Sequence, residues 1–145
     1  MLIGIIGENC SGKSTLANNI KSDLEAEVIS GKDYLRMAKT EQEAVMLFKE
    51  KLMDAVTGEN MIYIASEKEQ AELLPEGAIR ILVKTNLDTI KERFRQRLHG
   101  NLPIPVEMML EKKHGMFDDD QYDFVYDGTS GDTHLLCEKI IQLNK

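Results

Sequence analysis

The 145-residue sequence predicts an α/β fold, a three-layer α/β/α sandwich around a mainly parallel, five-stranded sheet. Strand-like and helix-like periodicities alternate along the chain, which is the pattern of a sheet covered by helices. The first apolar run, Leu2–Ile6, is unbroken by polar residues, as a strand buried on both faces requires. A glycine-rich turn joins that run directly to an amphipathic segment.

Taken in order, the spacing predicts a helix from about Ser14 to Ala26, with Leu16, Ala17 and Ile20 on one face. A short strand follows near Val28–Ile29, then a helix over 41–56 with Ala44, Leu47, Phe48, Leu52 and Ala55 inward. Met61–Ala65 reads as strand, 67–74 as a short helix and Ile79–Val83 as strand. Asp88 to His99 is helical, with only a weak start signal at Asn86 or Leu87. The two prolines of 101–105 exclude regular helix there. A helix over about 106–114, a strand over Phe124–Tyr126 and a closing helix over 132–143 complete the list. Met108, Met109, Met116 and Cys137 are expected to pack in the core, and His99 and His114 to lie on the surface. With no internal repeat or low-complexity linker, residues 1–145 read as one domain.

Composition narrows the class. With 42% hydrophobic and 30% charged residues, the sequence is that of a soluble globular protein. A net charge of −7 opposes broad attraction to nucleic acid or anionic membrane. No apolar run approaches the roughly 20 residues of a membrane span, and the N-terminal run lacks the features of a secretory leader. Cys10 and Cys137 lie far apart without a CxxC spacing, which predicts a reduced, cytoplasmic protein without structural zinc.

Residues 7–14 form a complete G-x-x-x-x-G-K-[ST] pattern between the first strand and the helix after it. Gly7 and Gly12 allow backbone angles that let successive N–H groups curl around a phosphate. Lys13 supplies a cation for the β and γ phosphates, and the Ser14 hydroxyl a ligand for Mg²⁺. The helix directs its positive end at the same point. Gly7, Asn9, Cys10, Ser11, Gly12, Lys13, Ser14 and Thr15 are therefore expected to hold a nucleoside triphosphate, ATP with Mg²⁺. Cys10 occupies a variable position as a small residue that fits the loop.

The rest of the chain separates the classes that share this loop. Residues 80–86 lack the aspartate that guanine recognition in switch GTPases uses. Ser66 and Glu67 stand where motor ATPases carry an acid pair. Kinases of small molecules instead need arginines on a mobile lid over the transferring phosphoryl group. Arg93, Arg95 and Arg97 lie in one helix end before the proline-broken loop, and Arg93 and Arg97, four apart, share a face. Asp33, just after the second strand, falls at the carboxyl edge of the sheet, where ligands bind in such folds. It reads equally as an acceptor-orienting acid or a turn residue. Glu67 reads as an acid near magnesium or as part of the next helix turn, and Asp118-Asp119-Asp120 as a solvated loop.

Beyond the phosphate loop, Gly31-Lys32-Asp33-Tyr34, the stretch Leu74–Val83, Arg93-Phe94-Arg95-Gln96-Arg97 and Tyr122–Asp127 resemble, in order and spacing, the nucleoside monophosphate kinases, and guanylate kinases in particular. The resemblance implies the strand order 2-3-1-4-5, a lid over about 93–115 carrying Arg93 and Arg97, and a reduced acceptor-binding segment over about 31–58. It also implies that Asp127-Gly128-Thr129 seats the adenine. The activity implied is transfer of the γ-phosphoryl group of ATP to a nucleoside monophosphate or another small molecule. A metabolite kinase of the shikimate or gluconate type, and a non-catalytic nucleotide-binding regulator, are the alternatives. No nucleic-acid or membrane partner is expected, and oligomeric state is not legible.

Overall fold

Five parallel strands order the molecule, and their spatial sequence is 2-3-1-4-5, as the resemblance implied. The computed structural model describes residues 1–143. Strands β1 (Leu2–Ile6), β2 (Glu27–Ser30), β3 (Met61–Ala65), β4 (Ile79–Lys84) and β5 (Phe124–Asp127) alternate with helices α1 (Lys13–Leu24), α2 (Glu41–Thr57), α3 (Lys68–Ala71), α4 (Leu87–Arg97), α5 (Ile104–Lys113) and α6 (Thr133–Leu143). A 3₁₀ turn, Asp33–Met37, lies between β2 and α2.

The unbroken apolar runs explain the centre of the sheet. All five residues of β1 and of β3 are buried, and the two strands pair from Leu2↔Met61 to Ile6↔Ala65. Because successive strand residues face opposite ways, each strand feeds two cores. Ile3 and Ile5 join Leu16, Ala17 and Ile20 of α1 and Leu136, Cys137 and Ile140 of α6. Leu2 and Ile6 join Ala44, Phe48 and Leu52 of α2 with Phe117. Between them, Gly4 makes room for Leu74, whose side chain occupies the space a Cβ would fill.

Local chemistry sets the helix starts. Thr40 caps α2, its Oγ1 accepting from the Glu43 N–H at 3.2 Å, and Asn86 caps α4, accepting from Thr89 N–H at 2.8 Å. The weak start signal at Asn86 is thus a working cap. Several expectations need correction. Helix α5 starts at Ile104, inside the segment where two prolines were expected to exclude helix. Pro103 precedes it and Pro105 sits in its first turn, where a missing N–H costs nothing. Leu47 is 40% exposed and Met108 62% exposed, so neither is core; Leu110 is the buried residue of α5. The helix expected over 67–74 is regular only over Lys68–Ala71. No helix among the described residues is long and apolar enough to cross a membrane.

Candidate nucleotide site at the carboxyl edge of the sheet

The loop between β1 and α1 is built to present backbone N–H groups. Cys10 and Gly12 both take positive φ, 62° and 108°. A Cβ on Gly7 would stand 2.7 Å from Ser11 Oγ and 2.9 Å from Val83 O. Helix α1 has Gly12 at its N-cap, no capping side chain and no acid in its first turn. Its first N–H groups therefore stay available to an anion, in contrast to those of α2 and α4. Ser11 Oγ is buried and has no partner among the described residues. Lys13 is buried, its Nζ donating to Glu8 O at 2.6 Å. Burial pulls this ammonium down to about 8, against the opposing pull of Cys10 and Glu8. An unpartnered hydroxyl, uncapped helix N–H groups and a desolvated cation converge on one point, which is the donor set a phosphate group fits.

A cleft of about 740 Å³ opens from this loop. It is lined by Asn9, Cys10, Gly12, Lys13, Ser14 and Thr15 on one side and by Ser30 to Asp33, Ser66 and Gln70 on the other, with Arg93 and Arg97 on its wall. Asp33, both arginines and the predicted loop residues other than Gly7 and Ser11 therefore share one cavity. Asp33 is held there by an aromatic stack. Tyr34 stacks on Phe48 at 4.8 Å, Phe48 meets Tyr63 edge-on at 4.9 Å, and the Tyr63 hydroxyl donates to Gly31 O at 2.8 Å. Burial raises that phenol well above its ordinary range.

The two arginines behave differently. Arg93 is fixed: Nη1 donates to Cys10 O at 3.1 Å and Nη2 to Gly128 O at 2.8 Å, tying α4 to the phosphate loop and to the turn after β5. Arg97 is exposed, with its guanidinium carbon 5.9 Å from the Phe94 ring centroid and no hydrogen bond among the described residues. Its charge reaches Lys13, which it helps to lower.

Two expected site residues are engaged elsewhere. Glu67 Oε1 accepts from Lys113 Nζ at 2.8 Å, and Glu67 is not among the residues that line the cleft. Asp127 turns its carboxylate onto its own loop. Oδ1 accepts from Thr129 Oγ1 and N at 2.6 and 2.8 Å, and Oδ2 from Ser130 Oγ at 2.9 Å. The Thr129 and Ser130 bonds hold this acid down at about 2. It therefore shapes the turn that carries Gly128, whose backbone meets the phosphate loop. Among the described residues no three His, Cys, Asp or Glu side chains converge as a metal site. The Ser14 hydroxyl fits the mode in which Mg²⁺ is held largely by phosphate oxygens and water.

Sequence reasoning missed three participants. Thr85 Oγ1, buried, donates to Ser11 O at 2.7 Å and locks the loop to the end of β4. Gln70, also buried, lines the cleft opposite the loop. Glu8 Oε2 accepts from Gly115 N–H at 3.1 Å, and Oε1 lies 3.0 Å from Nδ1 of His114, which is exposed as expected. This contact ties the segment after α5 to the phosphate loop. Glu8→Ala is expected to speed amide exchange at Gly115 while leaving that of β1 and β3 unchanged; unaltered exchange at Gly115 would show that the tie holds nothing.

Comparison with protein-family models gives no match, and comparison with curated proteins gives none. Solved structures do match along the whole chain. Shikimate kinase from Acinetobacter baumannii, in complex with shikimate, is 16% identical with a TM-score of 0.64, over 98% of this chain and 91% of that one. Deoxyadenosine kinase from M. mycoides, with bound dATP, is 19% identical with a TM-score of 0.58, over 100% of both chains. Gluconokinase from Sinorhizobium meliloti is 14% identical with a TM-score of 0.61, over 99% and 97%. The chain thus shares its overall fold with these three kinases.

Proposed function

We propose that this protein is a small kinase that transfers the γ-phosphoryl group of Mg·ATP to a nucleoside monophosphate or another small hydroxyl-bearing acceptor. The observation that carries the reading is the single cleft that joins the phosphate loop and Lys13 to Asp33, with Arg93 and Arg97 on its wall. Phosphoryl transfer asks a protein mainly for positioning and charge neutralisation, and this cleft supplies both. Lys13 and the N–H groups of the loop hold the phosphates. Bound Mg²⁺, with the Ser14 hydroxyl among its ligands, supplies charge neutralisation. Asp33 accepts the proton of the acceptor hydroxyl as its oxygen forms the new P–O bond and the bond to the ADP oxygen breaks. The loop Asp127–Ser130, shaped by the Asp127 carboxylate, is the seat proposed for the adenine, through its backbone. Residues of about 93–115 act as the lid, and those of about 31–58 carry the acceptor.

The two arginines give a test of this division. Arg97→Ala is expected to lower kcat by about 10²- to 10³-fold with ATP affinity intact, since only the developing charge of transfer calls on a free guanidinium. Arg93→Ala is expected to weaken ATP binding and lower the melting temperature, because its bonds to Cys10 O and Gly128 O are structural. Full turnover in Arg97→Ala sinks the lid assignment.

A second reading, a nucleotide-binding regulator without turnover, draws support from one observation. Glu67, at the end of β3, is neutralised by Lys113. Tight Mg·ATP binding with no acceptor-stimulated ADP release is the result that favours it.

A further inference from the structure

The half of the cleft formed at the ends of β2 and β3 has a chemistry of its own. Gln70 is 7% exposed, and its Oε1 accepts from the Ser66 backbone N–H at 2.9 Å. A backbone N–H only donates, so the atom facing it is the amide oxygen, and Nε2 is left as a donor. Among the described residues nothing accepts from that Nε2. It lies 3.8 Å from where a Cβ on Gly31 would stand, and Gly31, at φ +57°, carries no side chain to cover it. Gln70, more than nine-tenths buried and held by its amide oxygen, thus presents its Nε2 to the open cleft as a donor that water or a ligand completes.

The charges around it are as informative. Lys32, the one cation lining this half, is paired with Glu69 at 3.7 Å. Asp33 forms no ion pair among the described residues; its carboxylate accepts from the Ser30 hydroxyl at 3.5 Å. Arg36, on the same 3₁₀ turn, is exposed and outside the cleft lining. This half therefore carries one uncompensated negative charge and offers the Ser30 and Ser66 hydroxyls, the Asp33 carboxylate and the Gln70 amide. Binding a phosphate or carboxylate there would require a guanidinium or a free ammonium to offset desolvation and repulsion from Asp33. The cleft's free guanidinium, Arg97, is carried by α4, where its charge acts on Lys13 of the phosphate loop.

Resting on the kinase reading above, we propose that the acceptor subsite takes an uncharged polyhydroxylated molecule, of the nucleoside or sugar class, in preference to its phosphorylated or carboxylated counterpart. Gln70 is the residue that determines this specificity: its Nε2 donates to an acceptor oxygen and orients a neighbouring hydroxyl toward Asp33.

The test uses matched pairs: adenosine against AMP, guanosine against GMP, and glucose against gluconate. Acceptor-dependent ADP release is measured with Mg·ATP, and binding of the same compounds is followed by ligand-observed NMR in the presence of a non-hydrolysable ATP analogue. The expected result is turnover and binding of an uncharged member, at least tenfold preferred over its anionic partner. Gln70→Glu keeps the shape and the Ser66 contact but replaces the donor with an acceptor. It is expected to raise the acceptor KM about tenfold and to lower kcat, with the ATP KM unchanged. Preference for AMP, GMP or gluconate overturns the inference and leaves the kinase reading standing. Gln70-dependent binding of an uncharged member without turnover overturns the kinase reading and supports the subsite. Binding of no uncharged member, or an acceptor KM indifferent to Gln70→Glu, overturns the inference.

Discussion

Lys13→Met is expected to abolish Mg·ATP binding without destabilising the nucleotide-free protein. Removing one partner of a buried, hydrogen-bonded charge pair costs about 2–5 kcal/mol, so affinity should fall by roughly 30-fold to several thousandfold. Stability should respond the other way. The Lys13 ammonium is buried and lowered from 10.5 to about 8. Its charged form is therefore disfavoured in the folded state by about 3 kcal/mol at neutral pH. That cost is fully present below pH 8 and is relieved as pH rises from 8 toward 10.5, because the unfolded chain holds the proton over that window. The wild-type protein should thus gain stability from this group between pH 8 and 10.5, and the methionine variant should lack that gain. Melting curves at pH 7 and 10, with and without Mg·ATP, separate the two effects. A methionine variant that melts lower at pH 7 yet keeps its ATP-induced shift would contradict both.

The second large effect is expected at Gly128. A Cβ there would overlap the Ser11 carbonyl oxygen and Thr85 Oγ1, two atoms that already form a buried hydrogen bond. Gly128 also donates its N–H to Lys84 O at 2.8 Å and accepts from Arg93 at 2.8 Å, so it has no direction in which to yield. Gly128→Ala should cost about 3 kcal/mol or more and displace the phosphate loop, so that nucleotide binding fails with stability. Gly100→Ala is the control. That glycine has φ +94° and nothing within 4 Å of the added carbon. Only backbone strain of about 1–2 kcal/mol is expected there, with ATP binding unchanged. Equal behaviour of the two variants would show that the turn after β5 is not coupled to the loop.

What could be read from the sequence was local. Leu2–Ile6 and Met61–Ala65 are apolar runs, and the pattern of Gly7 to Ser14 carries its own conformational and chemical requirements. Such segments declare themselves within a dozen residues. The strand order came from resemblance, because periodicity says nothing about which strands are neighbours. The missed features are long-range. Thr85 meets Ser11 across 74 residues, and His114 meets Glu8 across 106. Gln70 had no pattern to mark it, since an amide in a four-residue helix reads as solvated until the cleft is seen. Met108 and Leu47 went wrong for a related reason. Apolar spacing fixes a helix face, but the width of that face is set by what packs against it. The engagement of the Asp127 carboxylate by Thr129 and Ser130 depends on the turn's conformation, which spacing does not declare.

The measurement that bears most directly on the central claim is the rate of ADP formation from Mg·ATP as acceptors are added one at a time. The account predicts that at least one small hydroxylated acceptor raises the rate many-fold over background hydrolysis, and that the rise vanishes in Lys13→Met. A rate that no acceptor alters, with Mg·ATP bound tightly, would contradict the assignment of this cleft to phosphoryl transfer.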